Sequence, residues 1–299
     1  MTVITNFNVT RILASYLFGL WSSAFLLGVI TVQTYRYYQK FYNDPRPVRW
    51  LVAMLWMMQC LELGISSRGV YRSLVPHGIS GLFALLEQPW YQSYFGTHGV
   101  LVAMMVQTFF LTRFWTISRN LPVTISLVVL VTAALGLGLY IMVRSYMFPN
   151  SALETLNAES TAAVIAWLSF AAGADIILAV ALALELRNLH TGYSKTDSVL
   201  NRVAVYGVAT GAVTATLVSI QLLMYAVWNL FEDLIFFGLP LGGVYIATFL
   251  ANLHTRSSLQ RIATRTVSDG IELASRRQPT HVTVTSTVVF RRDTVADSE

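Results

Sequence analysis

Two acidic residues lie deep inside long apolar stretches, and they are the residues of this sequence best placed to do chemistry. Glu62 follows Gln59 by three residues, so the two side chains share a helix face, and Asp175 is the second acidic residue. A carboxyl group costs several kcal/mol against lipid, so both are expected to face other helices. With Gln107 they could line an intramembrane polar cavity for a ligand, a proton or an ion. The alternative is that the four side chains only form hydrogen bonds between helices.

Small residues recur every four positions in the apolar stretch that contains Asp175 and in the apolar stretch that follows it. Ala171 and Ala179 flank Asp175 at this spacing, and Gly207 and Gly211 repeat it in the next apolar stretch. Helices in lipid pack closely where small residues form such a stripe. The pattern therefore predicts that Asp175 faces the inside of a helix bundle. Pro240, in the last apolar stretch, is expected to kink its helix.

The composition indicates that these elements are membrane-spanning helices. The chain has 299 residues, of which 55% are hydrophobic and 12% charged, and its mean hydropathy is +0.57. An average soluble domain carries about 25% charged residues. The sequence therefore predicts an all-α polytopic membrane protein. The net charge of +5 is not taken as a sign of nucleic-acid binding, because the basic residues follow the membrane topology.

Apolar runs of about 20 residues, the length that crosses a bilayer, occur seven times. We therefore expect a seven-transmembrane-helix bundle within residues 12–251, preceded by a short external segment at residues 1–11. The predicted spans are 12–34, 48–71, 97–115, 121–143, 162–184, 203–228 and 234–251.

The connections between the spans differ in their basic residues. Sixteen Lys and Arg residues fall in one set of connections and the C-terminal tail, and four fall in the other set. Because cytoplasmic connections are enriched in Lys and Arg, this predicts an external N-terminus and a cytosolic C-terminus. The expected location is an integral, multi-pass one, and the plasma membrane is consistent with it.

The tail has two predicted parts. Residues 252–267 are basic and amphipathic and are expected to form a juxtamembrane helix on anionic lipids of the inner leaflet. Residues 268–299 are polar and are expected to be a disordered cytosolic tail. The tail and the cytosolic connections are the expected contacts of a cytosolic protein partner.

Motifs of common enzyme and cofactor sites are not found. The five histidines do not share a helix face with one another or with a carboxylate at metal-ligand spacing, and H-E-x-x-H is absent. The two lysines, Lys40 and Lys195, fall in predicted cytosolic connections, which excludes a retinal Schiff base in the last span. We therefore expect no catalytic residues, no metal site and no cofactor.

Several short motifs run in order from the second span to the tail and cover most of residues 15–256. They are Leu55-Trp56 with Tyr71, Gln107-Thr108-Phe109-Phe110 with Arg113, Trp115 and Ser118, Thr196-Asp197 with Leu200, Thr210-Gly211 with Thr214, and Tyr245 with Leu250-Ala251, Leu253 and Arg256. As a set they resemble an uncharacterised seven-span membrane family that is abundant in mushroom-forming fungi and catalogued as a domain of unknown function. The resemblance implies seven spans and a motif at the cytosolic edge that comprises Arg113, Trp115 and Arg256. It implies no activity.

Three functions stay open on the sequence. A receptor-like or sensory protein is favoured, whose outer half holds a ligand near Glu62 and Asp175 and whose cytosolic connections and basic tail meet a partner. A small transporter or channel could use the same carboxylates, although no inverted repeat is visible between the halves. A non-catalytic membrane scaffold would need them only for packing.

The predicted topology can be tested with tags at the N-terminus, at Asn157 and at the C-terminus. In sealed vesicles of known orientation, we expect protease to reach the first two tags from the external side and the third from the cytosolic side. Both termini on the same side would contradict the prediction of seven spans.

Overall fold

The computed structural model describes residues 9–74, 90–147, 158–188, 194–228 and 235–255, and this part of the chain is helical, without strands. It contains seven helices long and apolar enough to cross a membrane. They are α1 (Val9–Lys40), α2 (Arg46–Leu74), α3 (Trp90–Ser118), α4 (Leu121–Met147), α5 (Ala158–Asn188), α6 (Ser194–Trp228) and α7 (Ile235–Thr255). The prediction of a multi-pass, all-helical membrane protein is confirmed at this level.

Each predicted span falls within one of these helices, apart from residue 234, which is not described. Residues 252–255 continue α7, whereas the sequence assigned them to a juxtamembrane helix. The rest of that predicted helix, the predicted tail and residues 1–8 lie outside the described residues. The side of the membrane on which each terminus lies stays a prediction.

Many hydroxyl groups in the spans bond to their own helix. Ser169 donates to the Ile165 carbonyl oxygen at 2.7 Å, and Ser67 donates to that of Leu63 at 2.6 Å. A hydroxyl group that bonds the carbonyl one turn earlier needs no water or partner helix. Serine and threonine can therefore face lipid at little cost.

The helices alternate in direction, and the ends of α1, α3, α5 and α7 meet at one end of the bundle. The ring of Phe41, just after α1, packs edge-on against His254 near the end of α7. Ser118, the last residue of α3, donates to Glu185 in the last turn of α5 at 2.9 Å. We call this the tail end of the bundle, because the chain leaves α7 there.

Short connections fix two helix pairs at the tail end. Between α1 and α2, Tyr37 donates to Asp44 at 3.0 Å and Tyr38 donates to the Arg49 carbonyl oxygen at 2.6 Å. Between α3 and α4 only two residues intervene, and Arg119 adopts the left-handed conformation with φ 53°. A left-handed residue after a helix reverses the chain quickly, which permits so short a connection.

Helix α7 lies inside the bundle, in contact with α1, α2, α3, α5 and α6. In its most apolar stretch 56% of the residues are buried, against 22% to 28% in the other six helices. A side chain at Gly243 would lie 3.2 Å from Leu26 of α1 and 3.3 Å from Gln59 of α2. At Gly242 it would lie 2.5 Å from the His98 ring of α3. The two glycines therefore let three helices pack closely against α7.

Pro240 lies in the second turn of α7. The helix continues through it from Ile235 to Thr255 without a break. A proline this close to the start of a helix removes one backbone hydrogen bond and leaves most of the helix intact. Pro240 precedes Gly242 by two residues, so the proline and the glycine at which α3 packs closely lie in the same part of α7.

The predicted stripe of small residues packs α6 against α5. A Cβ atom added to Gly211 would clash with the Cβ atom of Ala179. Gly207, one turn earlier on the same face, has more room, because its nearest such neighbour is the amide nitrogen of Asn252 at 3.8 Å. The stripe therefore sets the distance between the two helices at Gly211.

We expect Gly211→Ala to lower the free energy of unfolding by about 1–3 kcal/mol, because the new methyl group overpacks the α5–α6 contact. Gly207→Ala is the matched control and should be neutral or stabilising. Thermal unfolding of the detergent-solubilised chain measures both. Equal losses in the two variants would contradict close packing at Gly211.

Candidate functional site

Asp175 is held at the middle of the bundle by three neighbouring helices. Gln107 Nε2 of α3 donates to its Oδ1 atom at 3.1 Å, and the Tyr245 hydroxyl of α7 donates to Oδ2. The hydroxyl of Thr214 on α6 is a third polar neighbour. The side chain of Asp175 is 7% exposed. The carboxyl group thus links α5 to α3, α6 and α7 through neutral partners.

A cavity of about 40 Å³ adjoins this carboxyl group. Leu182 follows Asp175 along α5, Phe110 follows Gln107 along α3, and Thr248 follows Tyr245 along α7. Because these helices run toward the tail end, the cavity extends from Asp175 in that direction. The residues that line it are Val106, Gln107, Phe110, Asp175, Leu178, Ala179, Leu182, Gly207, Gly211, Thr214, Tyr245 and Thr248.

Glu62 forms a second group, between α1 and α2. Its Oε2 atom accepts hydrogen bonds from Ser23 at 2.7 Å and from Gln59 Nε2 at 2.9 Å, and its Oε1 atom accepts one from Ser66 at 3.1 Å. Gln59 Nε2 also donates to Ser23 at 3.0 Å. Glu62 is fully buried. The Glu62 carboxyl group therefore accepts hydrogen bonds from three neutral donors and has no cationic partner among them.

Two buried polar atoms beside α7 lack a hydrogen-bond partner among the described residues. They are Gln59 Oε1, which lies near Gly243, and Nε2 of His98, whose ring covers Gly242. His98 is 2% exposed. Buried polar atoms of this kind are common sites of internal water. The glycine pair therefore brings polar groups of α2 and α3 against one turn of α7.

The four residues predicted to line one polar cavity are all buried, and they form two groups. Gln107 and Asp175 bond to each other and line the cavity, whereas Gln59 and Glu62 bond to each other and are not among its lining residues. The polar face predicted on α2 is present. The structure adds a separation that helix periodicity could not show, because it depends on how α2 and α5 are placed in the bundle.

Sequence reasoning missed several polar partners. Ser23 and His98 carry no pattern that sets them apart from other polar residues in apolar stretches. Tyr245 appeared only within a family motif, and Thr214 likewise. The sequence did contain one signal for a polar face on α7, because Tyr245, Thr248 and Asn252 have the spacing of residues on one helix face.

The cytosolic-edge motif is partly described. Arg113 Nη1 donates to Asn252 Oδ1 at 2.6 Å, which ties α3 to α7 at the tail end. Trp115 is 37% exposed, as expected of an aromatic residue near a membrane interface. Arg256 lies outside the described residues. Of the predicted motif, Arg113 is thus the member with a defined structural contact.

The described part of the chain was compared with the ligand sets of metal sites. No three His, Cys, Asp or Glu residues there are placed to hold one ion.

Arg144 and Glu159 form an ion pair at 3.0 Å, at the end of the bundle opposite the tail. The two carboxyl groups inside the bundle have neutral hydrogen-bond partners instead.

Sequence comparison adds a family match over residues 171–258, a segment that runs from the middle of α5 to beyond α7. The matching model is described as a family of unknown function (DUF6534). The chain is similar to that family over this segment. The matched segment contains Asp175, Thr214, Tyr245 and Asn252. Comparison with curated proteins and with solved structures returned no match.

The similarity to DUF6534 coincides with the part of the predicted resemblance that covers the last three helices. The match carries no activity and does not show a fungal distribution. What it adds is that three of the four residues joined at Asp175 lie within the matched segment, which is consistent with one structural unit formed by α5, α6 and α7.

We expect Ser23→Ala to lower the free energy of unfolding by about 0.5–1.5 kcal/mol, because Glu62 and Gln59 lose a buried partner. Ser22→Ala is the matched control, since Ser22 bonds only its own helix, at the Phe18 carbonyl oxygen 2.8 Å away. Thermal unfolding in detergent compares them. A loss in Ser22→Ala as large as that in Ser23→Ala would contradict a specific role for the Glu62 group.

Proposed function

We propose that this membrane protein is a receptor-like sensor that binds a small ligand in the cavity beside Asp175 and transmits its presence along α7. The observation that carries the proposal is the cavity itself, with a buried carboxyl group at its inner end. Ionisable residues inside a membrane usually mark a functional site. The cavity is bounded by α3, α5, α6 and α7, so an occupant would touch all four helices.

One face of α7 connects the cavity to the tail end. Tyr245 bonds to Asp175, Thr248 lines the cavity, and Asn252 accepts a hydrogen bond from Arg113. The three residues follow the i, i+3, i+7 spacing of one helix face. A ligand that takes the place of the Tyr245 hydroxyl on Asp175 would release α7 at one end of this row. The contact with Arg113 at the other end would then change.

A cytosolic partner would detect this change at the tail end, under the predicted orientation. Several described basic residues near this end support a surface for a partner or for anionic lipids, among them Arg36, Lys40, Arg46 and Arg49. The ligand site proposed here extends toward the tail end rather than toward Glu62. The Glu62 group then serves to hold α1 against α2.

The proposal predicts that cutting the bond between Tyr245 and Asp175 moves α7 at the tail end. In a Cys60→Ser background, spin labels at Thr116→Cys and Thr255→Cys report the distance between the ends of α3 and α7. We expect Tyr245→Phe to shift or broaden this distance distribution in nanodiscs. Tyr225→Phe, which alters a buried tyrosine of α6 outside the cavity, is the matched control and should not.

The alternatives give different results. An unchanged distance in Tyr245→Phe would contradict a sensor and favour a scaffold, in which Asp175 serves packing alone. Proteoliposomes that contain a pH-sensitive dye test the transporter or channel. Proton flux that requires Asp175 would favour that function over a receptor.

A further inference from the structure

The chemical character of the Asp175 cavity indicates what kind of ligand it could bind, and this inference rests on the proposed function. Among the described residues, every hydrogen-bond partner of Asp175 is neutral. The residues that line the cavity include no basic side chain. A buried carboxylate without a counter-charge is unfavourable, whereas a bound cation would be held strongly there.

The protons of the hydroxyl groups around the cavity already take part in hydrogen bonds. Thr248 donates to the backbone of α7, with carbonyl oxygens at 2.9 Å and 3.0 Å, and Thr214 donates to the Gly211 carbonyl oxygen at 3.0 Å. The Tyr245 hydroxyl donates to Asp175. A hydroxyl whose proton is in use can still accept a hydrogen bond. The wall of the cavity therefore offers acceptors to a ligand that brings donors.

The rest of the wall is apolar and the space is small. Val106, Phe110, Leu178 and Leu182 supply alkyl and aromatic surface. A volume of about 40 Å³ holds at most about three water-sized groups, because each needs at least about 10–15 Å³. A donor-rich head and a chain of about two carbon atoms would fill it.

We propose that the Asp175 cavity binds a small primary ammonium ion with a short alkyl group. The ammonium group pairs with the Asp175 carboxylate in place of the Tyr245 hydroxyl, and it donates to the threonine hydroxyl oxygens of the cavity wall. The alkyl group lies against Phe110 and the two leucines. A ligand of this size binds in the millimolar range at best, because each non-hydrogen atom contributes a limited free energy.

The test uses the full chain in nanodiscs of neutral lipid and three additives at equal concentration: ethylammonium chloride, ethanol and sodium chloride. Ethanol has the same number of non-hydrogen atoms as ethylammonium and no charge. We expect ethylammonium alone to raise the melting temperature in a saturable manner, since a ligand that binds the folded state stabilises it.

Two variants locate the site. Asp175→Asn keeps the shape of the side chain and removes the charge, and it should weaken ethylammonium binding by about tenfold or more. Glu62→Gln is the matched control, because it removes the other buried carboxylate, which does not line the cavity. It should leave the ethylammonium response unchanged. Should Asp175→Asn not fold, Gly207→Val, which narrows the cavity, replaces it and should weaken binding.

The outcomes separate this inference from the proposed function. Equal stabilisation by ethanol and ethylammonium, or a full ethylammonium response in Asp175→Asn, would overturn the ammonium site and leave a neutral ligand for the sensor. No stabilisation by ethylammonium would also overturn the ammonium site. The sensor itself is overturned by unchanged label distances in Tyr245→Phe or by proton flux that requires Asp175, and neither of these results depends on ethylammonium. Loss of the response in Glu62→Gln alone would place the cation elsewhere and contradict the site proposed here.

Discussion

The absence of water inside a bilayer is the constraint on which the rest of this structure depends. A polar side chain that faces inward needs a partner within the bundle or an internal water, because lipid offers none. Asp175 meets this requirement through Gln107 and Tyr245, and Glu62 meets it through Ser23, Gln59 and Ser66. The bonds of Asp175 join helices that are far apart in the sequence, whereas those of Glu62 join α1 to α2, the next helix along the chain.

Helix α7 satisfies this constraint for several helices at once. Gly242 and Gly243 let α1, α2 and α3 approach it, and Tyr245 and Asn252 bond to α5 and α3. A helix with neighbours on most sides can transmit a local change to the end of the bundle. That position, more than any single residue, makes α7 the element on which the proposed sensor depends.

The two buried carboxyl groups differ in ways that matter for function. Glu62 is enclosed by three donors from α1 and α2, and it does not line the cavity beside Asp175. Asp175 is bonded by Gln107 and Tyr245, has the Thr214 hydroxyl beside it, and borders the cavity. Similar residue types in similar apolar surroundings thus suit two roles, a packing contact for Glu62 and a binding site for Asp175.

The sequence by itself determined the seven helices and the burial of Gln59, Glu62, Gln107 and Asp175, because lipid imposes long apolar runs and turns polar faces inward. The division of these four residues into two groups, the partners of each carboxyl group and the cavity beside one of them were decided only by tertiary structure. Helix periodicity specifies which way a side chain points on its own helix. Which other helix lies opposite depends on packing, here on small contacts such as those at the two glycines of α7.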